Sequence, residues 1–285
     1  MLPENLEWKF PSSAEEAVEL LRRPGAMLHG GGTRILKTNP KGVKLLIDVG
    51  ALGLGYINYI DNAFYIGSDV TFSEIVKYSK KENKIALLGE ALSNAASTPL
   101  RNRITIGGSL KDFPIWSSLY APLIALKARV EILKDKPEIY SVEDYVLKGV
   151  IKTKHVIRHV IIDDEENLIC GVKRFSVLRF EYPVFTIAAA LKINGQTIKD
   201  ARLVITGVKK RFKRFIKAEN ALKGQPLGDL PLEGALRHIN PVFIPDYKFS
   251  ARYKESTARV YFSDLLNELT EQIKGDDENE DSVQH

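Results

Sequence analysis

Two glycine-rich stretches decide how this chain reads: His29-Gly30-Gly31-Gly32-Thr33-Arg34-Ile35-Leu36 and Arg101-Asn102-Arg103-Ile104-Thr105-Ile106-Gly107-Gly108-Ser109-Leu110. Each has apolar residues ahead of its glycines and a hydroxyl residue beside them. Glycine lacks a Cβ, so the backbone can turn sharply and come close to a ligand. Successive exposed N–H groups then form a concave anion site, and the start of a following helix adds a favourable field. Two such loops can hold one pyrophosphate between them, which predicts a dinucleotide cofactor. Taken singly, either cluster reads equally well as an ordinary tight turn. Neither has the G-x-G-x-x-G spacing of a Rossmann loop, and neither runs into Gly-Lys-Ser/Thr. These absences argue against an NAD site of that type and against a nucleoside triphosphatase.

The chain has 285 residues, enough for two domains and a large core. Its apolar and charged fractions are those of a soluble globular protein. No apolar run is long enough to span a bilayer. The opening residues, Met1 to Trp8, lack a basic region followed by an apolar stretch, so no secretory signal is expected. The single cysteine, Cys170, excludes an internal disulfide and an iron–sulfur cluster held by this chain's own thiolates. A cytoplasmic location is expected. The net charge of +5 hides an asymmetry. The run Asp276-Asp277-Glu278-Asn279-Glu280-Asp281 reads as a disordered acidic tail, and the body before it is strongly basic. Such a body suits nucleic acid, an acidic partner subunit or a phosphorylated ligand.

Outward from the glycines, Ser12-Ser13-Ala14-Glu15 reads as a capping box opening a helix that Pro24-Gly25 ends. Ala26 to His29 reads as the strand delivering the first loop, and Leu45 to Val49 as the next strand. Asp61-Asn62 reads as a hairpin turn, and Thr71 to Glu74 as a second capping box. Strands are expected at residues 129–133, 156–162, 172–180, 184–191 and 202–208, and helices at 85–96, 217–223, 232–238 and 252–273. The charged stretch Asp163 to Asn167 is the best domain boundary.

These motifs, in this order, make the chain resemble the FAD-binding medium subunits of the molybdenum hydroxylases, the family of xanthine dehydrogenase, carbon monoxide dehydrogenase and aldehyde oxidoreductases. Gly30 to Leu36 is similar to that family's Ala-Gly-Gly-Thr-Asp-Leu-Leu, and Leu100 to Ser109 to its Ile-Arg-Asn-x-x-Thr-Ile-Gly-Gly-Asn. Leu123 to Ala128 and Ser250 to Lys254 match two further motifs, so the likeness covers nearly the whole chain. The resemblance implies an α+β fold. Residues 1–165 would form a two-subdomain FAD-binding domain of the PCMH (vanillyl-alcohol oxidase-like) type, with subdomains of about 1–52 and 53–165. Residues 166–274 would form a smaller C-terminal α/β domain of the CO dehydrogenase flavoprotein type, followed by the tail at 275–285. It further implies non-covalent FAD, clasped between the two subdomains. Its expected contacts are Gly30, Gly31, Gly32, Thr33, Arg34, Thr105, Ile106, Gly107, Gly108 and Ser109. Electrons would pass through this FAD from [2Fe-2S] clusters on a small partner subunit to an external acceptor. The molybdenum cofactor would sit on a large subunit, in a heterotrimer.

Two positions depart from the family. Ser118 stands where members often have an aspartate serving the cofactor, and Arg34 replaces an acid or small polar residue. Serine cannot make a carboxylate's charge-assisted bond, whereas arginine can pair with a phosphate. This departure motivates an alternative reading, an assembly subunit of the same fold that has lost flavin. Lys173 falls where the family often has a lysine near the flavin, which would stabilise charge on the reduced ring; a solvated strand lysine is the competing reading. The basic run Lys209 to Lys217 reads as a solvated loop with anchoring phenylalanines, or as a docking surface, ahead of a nucleic-acid site. His155 and His159 read as surface residues rather than metal ligands. No acid–base pair, nucleophile or metal site stands out, so no catalytic residue is assigned.

Overall fold

The structure, a computed structural model, describes residues 6–38, 40–227 and 231–283. The side chains of Leu36, Asn83 and residues 273–283 lie outside that description, as do the first five residues of the stretch Met1 to Trp8 read above. The chain divides into two units: Met1–Pro114 with Leu126–Asp164, and Ile115–Ala125 with Glu165–His285. The chain thus passes into the second unit twice, once for an eleven-residue segment that the sequence places in the first domain.

In the first unit, β1 (Glu7–Lys9), α1 (Ala14–Arg22), β2 (Ala26–His29), α2 (Thr33–Thr38) and β3 (Leu45–Asp48) come first. Their strands form a parallel sheet ordered β1-β3-β2. The cap of α1 is Ser13, whose hydroxyl accepts from the Glu16 N–H at 3.1 Å, while the Glu16 carboxylate accepts from the Ser12 N–H at 2.7 Å. The N-cap is therefore Ser13 rather than Ser12, and Glu16 reaches the residue before the cap instead of closing a reciprocal box. Ala17, Val18 and Leu21 on α1 pack with Leu45 and Ile47. Next come β4 (Ile57–Ile60) and β5 (Ala63–Gly67), joined by Asp61 and Asn62 at φ +49° and +56°, the left-handed pair a tight hairpin requires. The helices α3 (Phe72–Ser79), α4 (Ala86–Ser93), α5 (Thr98–Arg101) and α6 (Ile106–Asp112) follow. After α7 (Tyr120–Ala125), which belongs to the second unit, come β6 (Arg129–Leu133), β7 (Pro137–Ser141), α8 (Val142–Leu147) and β8 (Val156–Asp163). The antiparallel sheet is ordered β4-β5-β8-β6-β7.

β8 is central in that sheet and buried on both faces, which explains its nearly unbroken apolar run. It also corrects the reading of the two histidines, because His155 is 1% exposed and His159 is 8% exposed. The Tyr145 hydroxyl lies 2.8 Å from His155 Nε2 and the Thr153 hydroxyl 3.1 Å from Nδ1. Burial pushes the imidazole pKa of His155 down to about 3, so it stays neutral. His159 sits between the Tyr56 hydroxyl, 2.8 Å from Nδ1, and the Glu131 carboxylate, 3.2 Å from Nε2. Among the described residues no group of three His, Cys, Asp or Glu could hold a metal ion.

The second unit contains β9 (Leu168–Phe175), β10 (Phe185–Asn194), β11 (Thr197–Val208) and β12 (Arg211–Arg214) in an antiparallel sheet ordered β12-β11-β10-β9. Its helices are α9 (Ile216–Leu222), α10 (Leu232–Leu236) and α11 (Ala251–Val283). One face of the sheet, with Phe185, Ile187, Leu203 and Ile205, packs against Leu222, Ala235, Phe262 and Leu265 of the three helices. The other face takes the segment around α7: the Thr206 hydroxyl donates to the Ser117 carbonyl at 2.8 Å, and Arg202 Nη1 to the Ile124 carbonyl at 3.1 Å. The strand read to residue 180 ends at Phe175. The basic run read as a loop contains the edge strand β12, with Phe212 and Phe215 buried as anchors. Charged residues on an edge strand also discourage pairing with other chains. α11 continues to Val283, through most of the run read as a disordered tail; no proline breaks that stretch. Among the described residues no helix is long and apolar enough to cross a membrane.

Candidate functional site

β2 ends at His29, whose carbonyl accepts the Val49 N–H at 2.9 Å, and the chain then turns through Gly30, Gly31 and Gly32 into α2. Gly32 has φ +73°, and a Cβ there would lie 2.8 Å from His29 Nε2. Thr105 caps α6 and begins the second glycine segment. The fold presses the two segments together within the first unit. A Cβ on Gly31 would overlap the Arg103 carbonyl oxygen, and one on Gly30 would lie 3.2 Å from Thr105 Oγ1. Arg103 Nε in turn donates to the Gly31 carbonyl at 3.3 Å.

The two segments do different work. In the second, Ile106 and Gly107 donate their N–H groups to the Val70 and Ser68 carbonyls at 2.9 Å each. Gly108 donates to Thr105 Oγ1 at 3.2 Å and Ser109 to the Thr105 carbonyl at 3.0 Å. The backbone donors read as a second anion cradle are therefore already used. Gly107 is glycine because Ser68 lies against it: a Cβ would sit 2.6 Å from Ser68 Cβ and 2.8 Å from its carbonyl oxygen. The first segment is the open one. Among the described residues no acceptor takes the N–H of Gly31 or Gly32, and the hydroxyls of Thr33 and Ser109 have no partner. The exposed Arg103 guanidinium stands at the same turn. Two backbone donors without a partner among the described residues, with the Thr33 hydroxyl next in the chain and the Arg103 cation at Gly31, are a candidate site for a phosphate group.

Arg34, predicted as a phosphate ligand, instead pairs with Asp112 at 2.8 Å, tying α2 to α6. Behind the turn are acids. His29 Nδ1 meets Asp48 Oδ2 at 3.0 Å, and Asp48 Oδ1 accepts the Gly50 N–H at 2.8 Å. Asp69 Oδ1 lies 3.7 Å from where a Gly30 Cβ would be. Burial first, then the charges of Asp48 and Glu74, push the Asp69 carboxyl above its ordinary pKa. This carboxylate works against an anion at the loop.

The remaining candidates, Ser118 and Lys173, belong to the second unit. Ser118 is 6% exposed, and its hydroxyl has no partner among the described residues. Lys173 Nζ lies 2.5 Å from Glu268 Oε1, on the sheet face that packs on α11. Ser117 meets the opposite face, so the fold does not bring Lys173 together with Ser118. The sequence reading passed over Arg103 as a spacer within a motif; its basic character inside a glycine loop was the available signal.

The first unit is thus an α+β module with an open glycine turn whose donors are unused among the described residues, pressed against a second glycine segment. A family model described as the FAD binding domain in molybdopterin dehydrogenase matches residues 4–163, and one for the CO dehydrogenase flavoprotein C-terminal domain matches 178–269. The chain belongs to this family, and is an FAD-binding oxidoreductase subunit of the molybdenum hydroxylase type. It is 23% identical to the nicotinate dehydrogenase FAD-subunit of Eubacterium barkeri, over 95% of this chain and 98% of that one. It is 25% identical to the glyceraldehyde dehydrogenase medium chain of Sulfolobus acidocaldarius, over 94% of this chain and 100% of that one. Its fold matches that of a chain of the carbon monoxide dehydrogenase from Hydrogenophaga pseudoflava, with a TM-score of 0.85 at 22% identity, over 94% of this chain and 98% of that one. The open donors at Gly31 and Gly32 beside Arg103 fit the pyrophosphate of FAD.

Proposed function

We propose that this chain is the electron-transferring flavoprotein subunit of a molybdenum hydroxylase complex. It would receive electrons from iron–sulfur clusters on a small subunit and pass them to an external acceptor, while substrate is oxidised at a molybdenum cofactor on a large subunit. The observation that carries this reading is the open turn at Gly31 and Gly32, in a chain whose only cysteine cannot itself hold a cluster. Bound FAD supplies the ability to take electrons singly and release them as a pair. The chain's own residues do the rest. The Gly31 and Gly32 N–H groups and Arg103 bind the pyrophosphate. Thr33 and Ser109 add hydroxyl donors, and the Arg34–Asp112 pair holds α2 in register with α6.

Native purification tests the reading. We expect co-purified subunits, molybdenum and iron, and an acid-released flavin that runs as FAD on chromatography. FMN, or a chain isolated alone that turns over substrate and acceptor at an enzymatic rate, overturns it. The serine at 118 and the internally satisfied donors of the second segment favour one rival, a flavin-free assembly subunit. A visible spectrum without flavin bands after reconstitution with FAD selects that rival.

A further inference from the structure

The second unit carries large apolar side chains that face water on two neighbouring segments. Val177, Leu178 and Phe180 project from the loop after β9, with Leu178 68% exposed. Val242, Ile244 and Tyr247 project from the stretch before α11, with Tyr247 92% exposed. Chance scatter of apolar residues over a surface does not place six in two linked segments.

Both segments are held in shape. Arg174 donates to the Ser176 hydroxyl at 2.7 Å, to the Arg179 carbonyl at 2.8 Å and to the Glu181 carbonyl. Tyr182 packs on Trp116 with ring centroids 4.6 Å apart. Lys248 Nζ meets Glu181 Oε1 at 2.5 Å and so joins the loop to the second segment. In that segment Phe243 is buried against Phe185, which turns Val242 and Ile244 outward. The Lys209 N–H donates to the Val242 carbonyl at 2.8 Å, placing the start of the basic run beside the patch. A braced surface loses little conformational freedom on docking.

Exposed basic residues border the patch. Arg179, Lys209, Lys210 and Arg211 are exposed along it. Its two acids are engaged by lysines, Glu181 by Lys248 and Asp246 by Lys254 at 2.5 Å each. An apolar centre of Leu, Phe, Tyr, Val and Ile inside a basic rim has the make-up of a protein interface. Its complement is an apolar face edged with carboxylates. A lipid surface fits less well, because it would desolvate Glu181 and Asp246 within the patch.

We propose that this surface is where a partner subunit with an acid-edged apolar face docks. The inference rests on the reading of the chain as one subunit of a complex, and it names the face that the partner covers.

The test compares wild type with two double variants, Leu178→Asp with Phe180→Asp, and Lys209→Glu with Lys210→Glu, each as full-length chain. All four positions are exposed, so both variants should keep the wild-type melting temperature and flavin content. Binding to the purified partner subunits is then titrated at low and high salt. The aspartate pair should weaken binding by about 100-fold at either salt. The glutamate pair should weaken it about 10-fold at low salt, with the difference fading at high salt. Undiminished binding by both variants, with wild type still holding FAD and its partners, overturns the surface and leaves the function standing. A wild-type chain that holds FAD but has no partner overturns both. Two controls name other occupants and would also overturn the proposal: wild-type binding to phosphatidylserine vesicles that the aspartate pair abolishes, or a wild-type homodimer that the aspartate pair makes monomeric.

Discussion

At the residue scale, the glycine turn proposed for the pyrophosphate balances opposed charges. Arg103 brings a cation to the Gly31 carbonyl, while Asp69 brings a half-buried carboxylate behind Gly30. Arg103→Ala should therefore weaken FAD binding by about tenfold, the size of one charge-assisted bond. Asp69→Asn should tighten it by a few-fold, because it removes a like charge beside the pyrophosphate. Titrating apoprotein with FAD measures both, and effects of the opposite sign would remove the pyrophosphate from this turn. The glycines behave differently. Gly31→Val puts side-chain carbon where the Arg103 carbonyl oxygen already sits, and Gly107→Val does the same against the Ser68 backbone. The Arg103 oxygen is backbone, and Ser68 meets Gly107 with its Cβ and carbonyl oxygen, so neither neighbour can swing away. We expect each variant to lose several kcal/mol of stability, by the overpacking cost of about 1–3 kcal/mol plus the backbone shift. Thermal unfolding would show it, and a wild-type melting temperature would contradict it. The candidate turn was legible in the sequence, because glycine beside hydroxyl and basic residues is a local signal. The division of labour was not legible. Whether a glycine faces a ligand or a neighbouring backbone depends on which distant residue lies against it, and Ser68 and Arg103 carry no mark of that role in the sequence.

At the scale of elements, β8 shows how burial changes chemistry that the sequence leaves open. A histidine four residues from another suggested an exposed strand face. In the folded sheet β8 lies between β5 and β6, and His155 is enclosed with Tyr145 and Thr153. Its pKa is pushed down to about 3, mainly by burial and then by Lys111 and Lys134. The unfolded chain takes up this proton near pH 6.5 and the folded chain does not until about pH 3. Between these limits the unfolded state binds more protons, so stability falls as the pH falls. This one group should contribute a slope of up to about 1.4 kcal/mol per pH unit below pH 6.5. Chemical denaturation at a series of pH values should show that slope, and His155→Asn should flatten it while lowering stability at pH 8. An equal slope in the variant would assign the acid sensitivity to other groups. Strands and helices with strong local signals, such as the Asp61-Asn62 hairpin and the Thr71 cap, lie where the sequence puts them. β12 was missed because its pattern is charge interrupted only by Phe212, and only pairing with β11 makes that an edge strand.

At the scale of the whole molecule, the chain enters its second unit twice. The boundary at Asp164/Glu165 is a charged turn and could be found locally, but the departure of Ile115–Ala125 into the second unit could not. That segment supplies the cover for one face of β10 and β11. Leu119, Tyr120, Leu123 and Ile124 are each at most 1% exposed, and Arg202 and Thr206 spend their side-chain hydrogen bonds on the segment's carbonyls. Burying four such side chains is worth roughly 6–12 kcal/mol at about 1.5–3 kcal/mol each, comparable to the whole stability of an ordinary domain. A fragment of residues 165–285 alone should therefore not fold to a packed state, although it contains every strand of its sheet and three helices. We expect it to keep helical and strand signals in far-ultraviolet circular dichroism. It should lack a near-ultraviolet signal, bind a hydrophobic dye and show no cooperative melt. Fusing residues 115–125 to it through a flexible linker should restore a cooperative transition, because the missing layer is then returned at high effective concentration. A fragment that melts cooperatively without the segment would show that α7 only decorates the second unit. The role of residues 115–125, Ser118 among them, would then have to be sought outside the folding of that sheet.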